Sequence, residues 1–206
     1  DKVQTMLVVR WTQDAAVDDV HVRFTFENNE WYRSIRKPGN VGEHKEVVIG
    51  VPEKTSVTIH IFNRTGEEEA GSEAYYGTTG TVPSSLPRPV VESYDPGGAS
   101  PHRWMLGAVS ASSYSYEGPF WLYIIDRQGR ILWYYSNLGD NPITVFPRVS
   151  RDNRYIFFPN RKPWFENHHS HPRVIKMTLD WEYYQDTVMD LTATNDLTQH
   201  GHEPRN

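Results

Sequence analysis

The densest run of side chains able to do chemistry is His168-His169-Ser170-His171. Imidazoles this close together suit Zn²⁺ or Cu²⁺, provided the loop converges their nitrogens on one point. Side chains at neighbouring positions diverge, and Glu166 is the one carboxylate close by, so a solvated loop accounts for the same residues. A second cluster is His200-Gly201-His202-Glu203 with Arg205. Its imidazoles and guanidinium suit an anion or a developing negative charge. A polar chain end, where disorder concentrates, explains it as simply.

Other candidates read as structural. His21 and His60 alternate with apolar neighbours, which puts both on the solvent face of a strand. Glu67-Glu68-Glu69 reads as a solvated turn. Asp126 and Asp152 sit where a side chain caps a turn, although aspartate-rich hairpin loops also take Ca²⁺. Trp121, Trp133 and Trp181 read as packing residues, and Trp164 lies in a proline-bearing loop. Asn63-Arg64-Thr65 matches a glycosylation acceptor, a pattern short enough to arise by chance. No phosphate-binding loop, dinucleotide glycine pattern or Gly-x-Ser-x-Gly elbow is present. Cysteine is absent, which excludes disulfides, thiolate metal sites and a cysteine nucleophile.

The elements that would position these residues are strands. Aromatic residues make up 13% of the 206-residue chain, ample material for a core. The net charge of −5 argues against a nucleic-acid partner, which wants a basic face. No apolar run approaches the roughly 20 residues that cross a bilayer. In Phe120 to Ser136, two runs rich in aromatic and β-branched residues flank Asp126-Arg127-Gln128-Gly129, a hairpin turn. Phe120, Leu122 and Ile124 point one way and Trp121, Tyr123 and Ile125 the other. A strand apolar on both faces must be covered on both, as in a propeller blade between its neighbours.

Residues 1–79 alternate with the period of strands. Val20, Val22, Phe24 and Phe26 face inward, and Trp31 to Arg36 is closed by the turn Lys37-Pro38-Gly39-Asn40. Six or seven short strands of this kind predict a β-sandwich. The lone tryptophan in Val9-Arg10-Trp11, and Gly50-Val51-Pro52-Glu53-Lys54-Thr55 leading into Val57 to Ile61, resemble a fibronectin type III or immunoglobulin-like module. Residues 80–103 carry Pro83, Pro87, Pro89, Pro96 and Pro101 and read as a semi-rigid linker or strap.

From Trp104 the strands are longer and more aromatic. Asp126 and Asp180, 54 residues apart, occupy comparable places, each between a strand and an aromatic strand. That spacing lies close to the ~40–50 residues of one propeller blade. Phe120 to Ser136 and Pro147 to Phe158 resemble the opening blades of the bacterial arylsulfotransferase family. The resemblance runs from about Trp104 to His202. It implies an all-β chain: a fibronectin/Ig-like sandwich at 1–79, the strap at 80–103, and the first blades of an incomplete β-propeller at 104–206.

It also implies an exported enzyme, secreted, periplasmic or cell-surface, that moves a sulfuryl group between phenolic compounds. A small phenolic sulfate would be the substrate and no cofactor would be required, with Ca²⁺ or Zn²⁺ as the ions the loops could take. His200, His202 and Arg205 would bind sulfate oxygens, and the nucleophilic histidine would lie in a later blade outside this chain. The remaining blades would come from the same chain or another. Two alternatives stay open: a closed second sandwich or barrel, and a non-catalytic extracellular or surface assembly module.

Overall fold

The computed structural model describes residues 3–27, 30–98, 101–110, 120–136, 146–152, 154–159 and 173–188. Every regular element among them is a strand, so the chain is all-β. It divides into two compact units. Val3–Pro83 with Arg130–Trp133 form the first, and Ser84–Gly129 with the chain from Tyr134 form the second.

The first unit opens with β1 (Leu7–Gln13), β2 (Val17–Phe26), β3 (Glu30–Arg33) and β4 (Lys37–Gly39). It continues through β5 (Gly42–Val48), β6 (Ser56–Thr65), β7 (Glu68–Gly71) and β8 (Tyr75–Thr78). β1 and β5 make a two-stranded antiparallel sheet. The larger sheet centres on β2 paired with β6; β3 and β4 share the free edge of β2, and β7 and β8 share that of β6. Val22 and Phe24 from β2, Val57 and Ile59 from β6 and Val48 from β5 form one buried core with Val51. Leu7, Val9 and Trp11 of β1 pack against it. Each such side chain, fully buried, stabilises the fold by about 1.5–3 kcal/mol.

Three expectations are corrected here. Lys37-Pro38-Gly39 is no turn but an edge strand on β2, a place where the missing proline N–H breaks no ladder. Gly39 is required there: a Cβ would lie 2.2 Å from Val17 Cγ2 and 2.9 Å from the Val17 carbonyl. Glu68 and Glu69 belong to β7, which pairs with the end of β6. His21 is buried although it alternates with the core residues.

The remaining strands form two antiparallel meanders, which belong to the second unit apart from residues 131–133. β9 (Trp104–Ser110), β10 (Phe120–Asp126) and β11 (Ile131–Ser136) form a sheet with β10 in the centre. β12 (Arg148–Val149), β13 (Ile156–Pro159), β14 (Arg173–Met177) and β15 (Tyr184–Val188) form a four-stranded sheet in sequence order. Phe120 and Trp121, on opposite faces of β10, are 3% and 4% exposed, so both faces are covered. Residues of the proline-rich segment lie against the β10–β11 turn. Arg127 donates to the Tyr94 hydroxyl at 3.1 Å. Gly129, at φ +77°, would place a Cβ 3.1 Å from Val91 Cγ2.

Tyr135 joins the two meanders. Its ring lies 5.2 Å from Phe158 of β13 and 4.7 Å from Trp181, edge-on to the latter. On the opposite face of the three-stranded sheet Trp121 meets Tyr134 at 6.2 Å. Burial, and then the neighbouring Tyr184 to which it is hydrogen-bonded, push the Tyr135 hydroxyl far above its ordinary range. Phe158, Ile156, Ile175 and Met177 are all buried, and the register pairs Phe158 with Ile175 and Ile156 with Met177 on one face. Truncating Phe158 to alanine should lower the unfolding free energy by about 3–5 kcal/mol. Urea denaturation followed by tryptophan fluorescence measures that loss.

Candidate functional site

The first unit carries the richest polar constellation, on the face of the larger sheet that points away from the core. Register sets it. Asp19 of β2 pairs with Arg64 of β6, which pairs with Glu69 of β7. One step along, His21 faces Phe62, and Phe62 faces Gly71. Glycine fits at that last position because a Cβ would lie 2.9 Å from the Phe62 ring. The His21 ring stacks on Phe62 at 5.4 Å with a 15° interplanar angle. The Arg23 guanidinium lies over the same ring, 4.1 Å from its centroid.

Ion pairs tie this face together. Arg64 Nε donates to Asp19 Oδ2 at 2.6 Å, and Arg36 stands 3.8 Å from Asp19 Oδ1. Arg36 also reaches Glu69 at 3.3 Å, and Arg23 donates a second guanidinium N–H to Glu69. Chiefly through the Arg64 hydrogen bond, the Asp19 carboxyl is held below its ordinary value. Arg23 Nε donates to His21 Nε2 at 3.1 Å. That leaves the His21 proton on Nδ1, which is buried and has no acceptor. Desolvation lowers the His21 pKa; Glu69 opposes the shift, while Arg23, Arg36 and Arg33 reinforce it.

A neutral imidazole with its one lone pair already taken by arginine is poorly placed as a general base. The arrangement orders a sheet face: it fixes arginines and leaves no open position at the imidazole. Among the described residues no three His, Cys, Asp or Glu side chains converge as a metal site. No helix among them is long and apolar enough to cross a membrane.

In the second unit the aspartates of the hairpins do repeated local work. Asp126, Asp152 and Asp180 each accept the backbone N–H two residues on, at 3.0, 3.2 and 3.1 Å. Two of the turns match further. The Ser150 and Thr178 hydroxyls each donate to the aspartate at 2.5 Å, and each accepts the N–H of a tyrosine five residues on. The Asp152 carboxyl is lowered chiefly by the Ser150 hydrogen bond, then by the Arg154 N–H. Tyr155 and Tyr183, which close these turns, meet at 5.4 Å, with the Lys176 ammonium 4.2 Å above the Tyr155 ring.

The sequence-based site residues fall differently. His168, His169 and His171, with Glu166 and Trp164, lie outside the described residues, as do His200, His202, Glu203 and Arg205. Asp126 and Asp152 cap turns, and Trp121, Trp133 and Trp181 are packed rather than displayed. His60 is half-buried, with Nδ1 3.0 Å from the Ser72 carbonyl. His21 and Glu69 were missed as partners because 48 residues separate them in sequence and β6 lies between their strands in the sheet. A signal was present in Asp19, His21 and Arg23, charged or polar at every second position. No known protein family, curated protein or solved structure matches this chain.

Because the fold keeps His21 neutral, the unfolded chain binds its proton first as pH falls through about 6.5. Stability should therefore be level above that value with respect to His21 and decline below it, until the folded imidazole also titrates. Urea midpoints from pH 8 to pH 5.5 should show the decline, and His21→Leu should flatten it. In the second unit, Asp152→Ala and Asp180→Ala should each lower the melting temperature, since each strips a hydroxyl and an N–H of their acceptor. Thermal melts of the two variants measure this.

Proposed function

We propose that this chain is the amino-terminal part of an exported arylsulfotransferase-like enzyme, a fibronectin-like sandwich followed by the first blades of a β-propeller. The observation that carries it is the contact at Tyr135, where a residue of the three-stranded meander packs against Phe158 and Trp181 of the four-stranded one. Propeller blades are four-stranded meanders that pack against their neighbours. The matched turns at Ser150 to Tyr155 and Thr178 to Tyr183 add to it. For the first unit, the split β3/β4 edge, β2, β6 and the β7/β8 edge, with β1–β5 across the core, support a fibronectin-like strand order.

On this reading a histidine in a later blade attacks the sulfur of an aryl sulfate. An N–S bond forms, the S–O bond to the aryl group breaks, and a phenolate leaves. A phenol acceptor then takes the sulfuryl group from the histidine and regenerates it. His200, His202 and Arg205 hold the sulfate oxygens, and the location is periplasmic, secreted or cell-surface.

The test uses the full-length polypeptide with 4-nitrophenyl sulfate as donor and phenol as acceptor. Nitrophenolate should appear only when acceptor is present, and His200→Asn or His202→Asn should lower kcat about 100-fold. Absence of acceptor-dependent release overturns the enzyme reading. A second reading, a non-catalytic surface module, is favoured by one feature: large aromatic side chains displayed on the first unit's outer sheet face.

A further inference from the structure

The outer face of the larger sheet in the first unit changes character along its length. At one end lies the ion-pair network of Asp19, Arg36, Arg64 and Glu69. At the other, register places Trp31 of β3, Thr25 of β2, Thr58 of β6 and Tyr76 of β8 in a single cross-strand row. Cross-strand partners share a face, and Thr25 is opposite in parity to the core residue Phe24, so this row points outward. Trp31 is 51% exposed and Tyr76 81% exposed, the large rings of the row standing at its two ends. His60, the next outward residue on β6, brings its ring within 5.5 Å of Trp31. At strand spacings of about 4.8 Å the two exposed rings stand roughly 14 Å apart.

The next outward-facing row holds Arg33, Arg23 and His60. Arg23 is committed to His21 and Glu69. Arg33 is exposed and has no carboxylate partner among the described residues. The face therefore presents exposed rings in line, the Thr58 hydroxyl between them, and beside the line the Arg33 guanidinium, which no described carboxylate neutralises.

We propose that this face binds an acidic polysaccharide. Trp31 and Tyr76 stack against the apolar C–H faces of sugar rings, and Thr58 and His60 meet hydroxyl groups. Arg33 pairs with a carboxylate or sulfate substituent on the chain. Flat aromatic surface combined with a few placed polar groups is what a sugar ring, apolar above and below and polar at its rim, requires. A planar guanidinium meets a carboxylate or sulfate through paired N–H donors.

Single-stranded nucleic acid also stacks on aromatic rings, but it needs a cationic groove that tracks a phosphate at every residue. Here Arg23, Arg36 and Arg64 are tied to Asp19 and Glu69, and the chain carries a net charge of −5. Sparse negative charge on an otherwise neutral, ring-bearing polymer is the better complement. The inference stands independently of the sulfuryl-transfer reading, because no residue of this face takes part in that chemistry.

The test is isothermal titration of the full-length protein with three probes: a xylotetraose bearing one glucuronic acid branch, unbranched xylotetraose and a thymidine oligonucleotide. The branched probe should bind saturably, with unbranched xylotetraose at least tenfold weaker and the oligonucleotide weaker still. Trp31→Ala and Tyr76→Ala should each weaken binding of the branched probe tenfold or more, while Trp31→Phe keeps most of it. Arg33→Gln should bring the branched probe down to the level of the unbranched one. Both rings are exposed, so the variants should melt with the parent, and circular dichroism checks this. No saturable binding of the branched probe, variants that bind like the parent, or an oligonucleotide that binds best would each overturn the proposal.

Discussion

A β-strand that is apolar on both faces cannot stop at one layer of protein. β10 and β11 are such strands: Phe120, Leu122, Ile124, Trp121 and Ile125 are buried, and so is β11 from Ile131 to Tyr135. Leaving either face wet would forfeit about 25 cal/mol for each Å² of apolar surface. On one face Tyr135 meets this requirement by packing against Phe158 and Trp181 of the second meander. Asp152 and Asp180 close the turns of that second meander. Their hydrogen bonds are local and nearly identical, the mark of one structural solution used twice.

The first unit follows a different logic. Its strands bury one face in a shared core, and the opposite face is free to vary. On that face carboxylates and guanidiniums neutralise one another around a stacked imidazole at one end, and aromatic rings stand exposed at the other. A single sheet thus carries an ordered polar half, which stiffens it, and a displayed half suited to contact. The chemistry of an enzyme is absent from neither unit by necessity; the first unit's most buried titratable group is simply held in a state that favours structure over proton transfer.

Strand-forming runs were easy to read because alternation and β-branched or aromatic content are local properties. β2, β6, β9 and β10 fall where the period of two placed them. The Lys37-Pro38-Gly39 segment was misread because proline and glycine signal a turn locally, whereas an edge position tolerates both. The Glu68–Glu69 stretch was misread because three acidic residues suggest solvent, and nothing local announces the arginines that wait on β2 and beyond. The repeat was visible only at its coarser spacing. Asp126 and Asp180 share a strand–turn–strand setting, but the closer kinship joins Asp152 and Asp180, 28 residues apart, through hydroxyl and tyrosine partners.

Local pattern alone therefore determined that this chain is built of strands, that its aromatic hairpin needs cover on two sides, and that aspartates close its tight turns. These follow from side-chain shape, pleat periodicity and hydrogen bonds that span a few residues. Tertiary structure alone decided that His21 is buried and neutral, that Glu69 is an arginine hub, and that Trp31 and Tyr76 share one row. Those facts depend on which strands become neighbours and in what register, and pairing between residues 30 to 50 positions apart is set by the packing of the whole sheet rather than by any one segment.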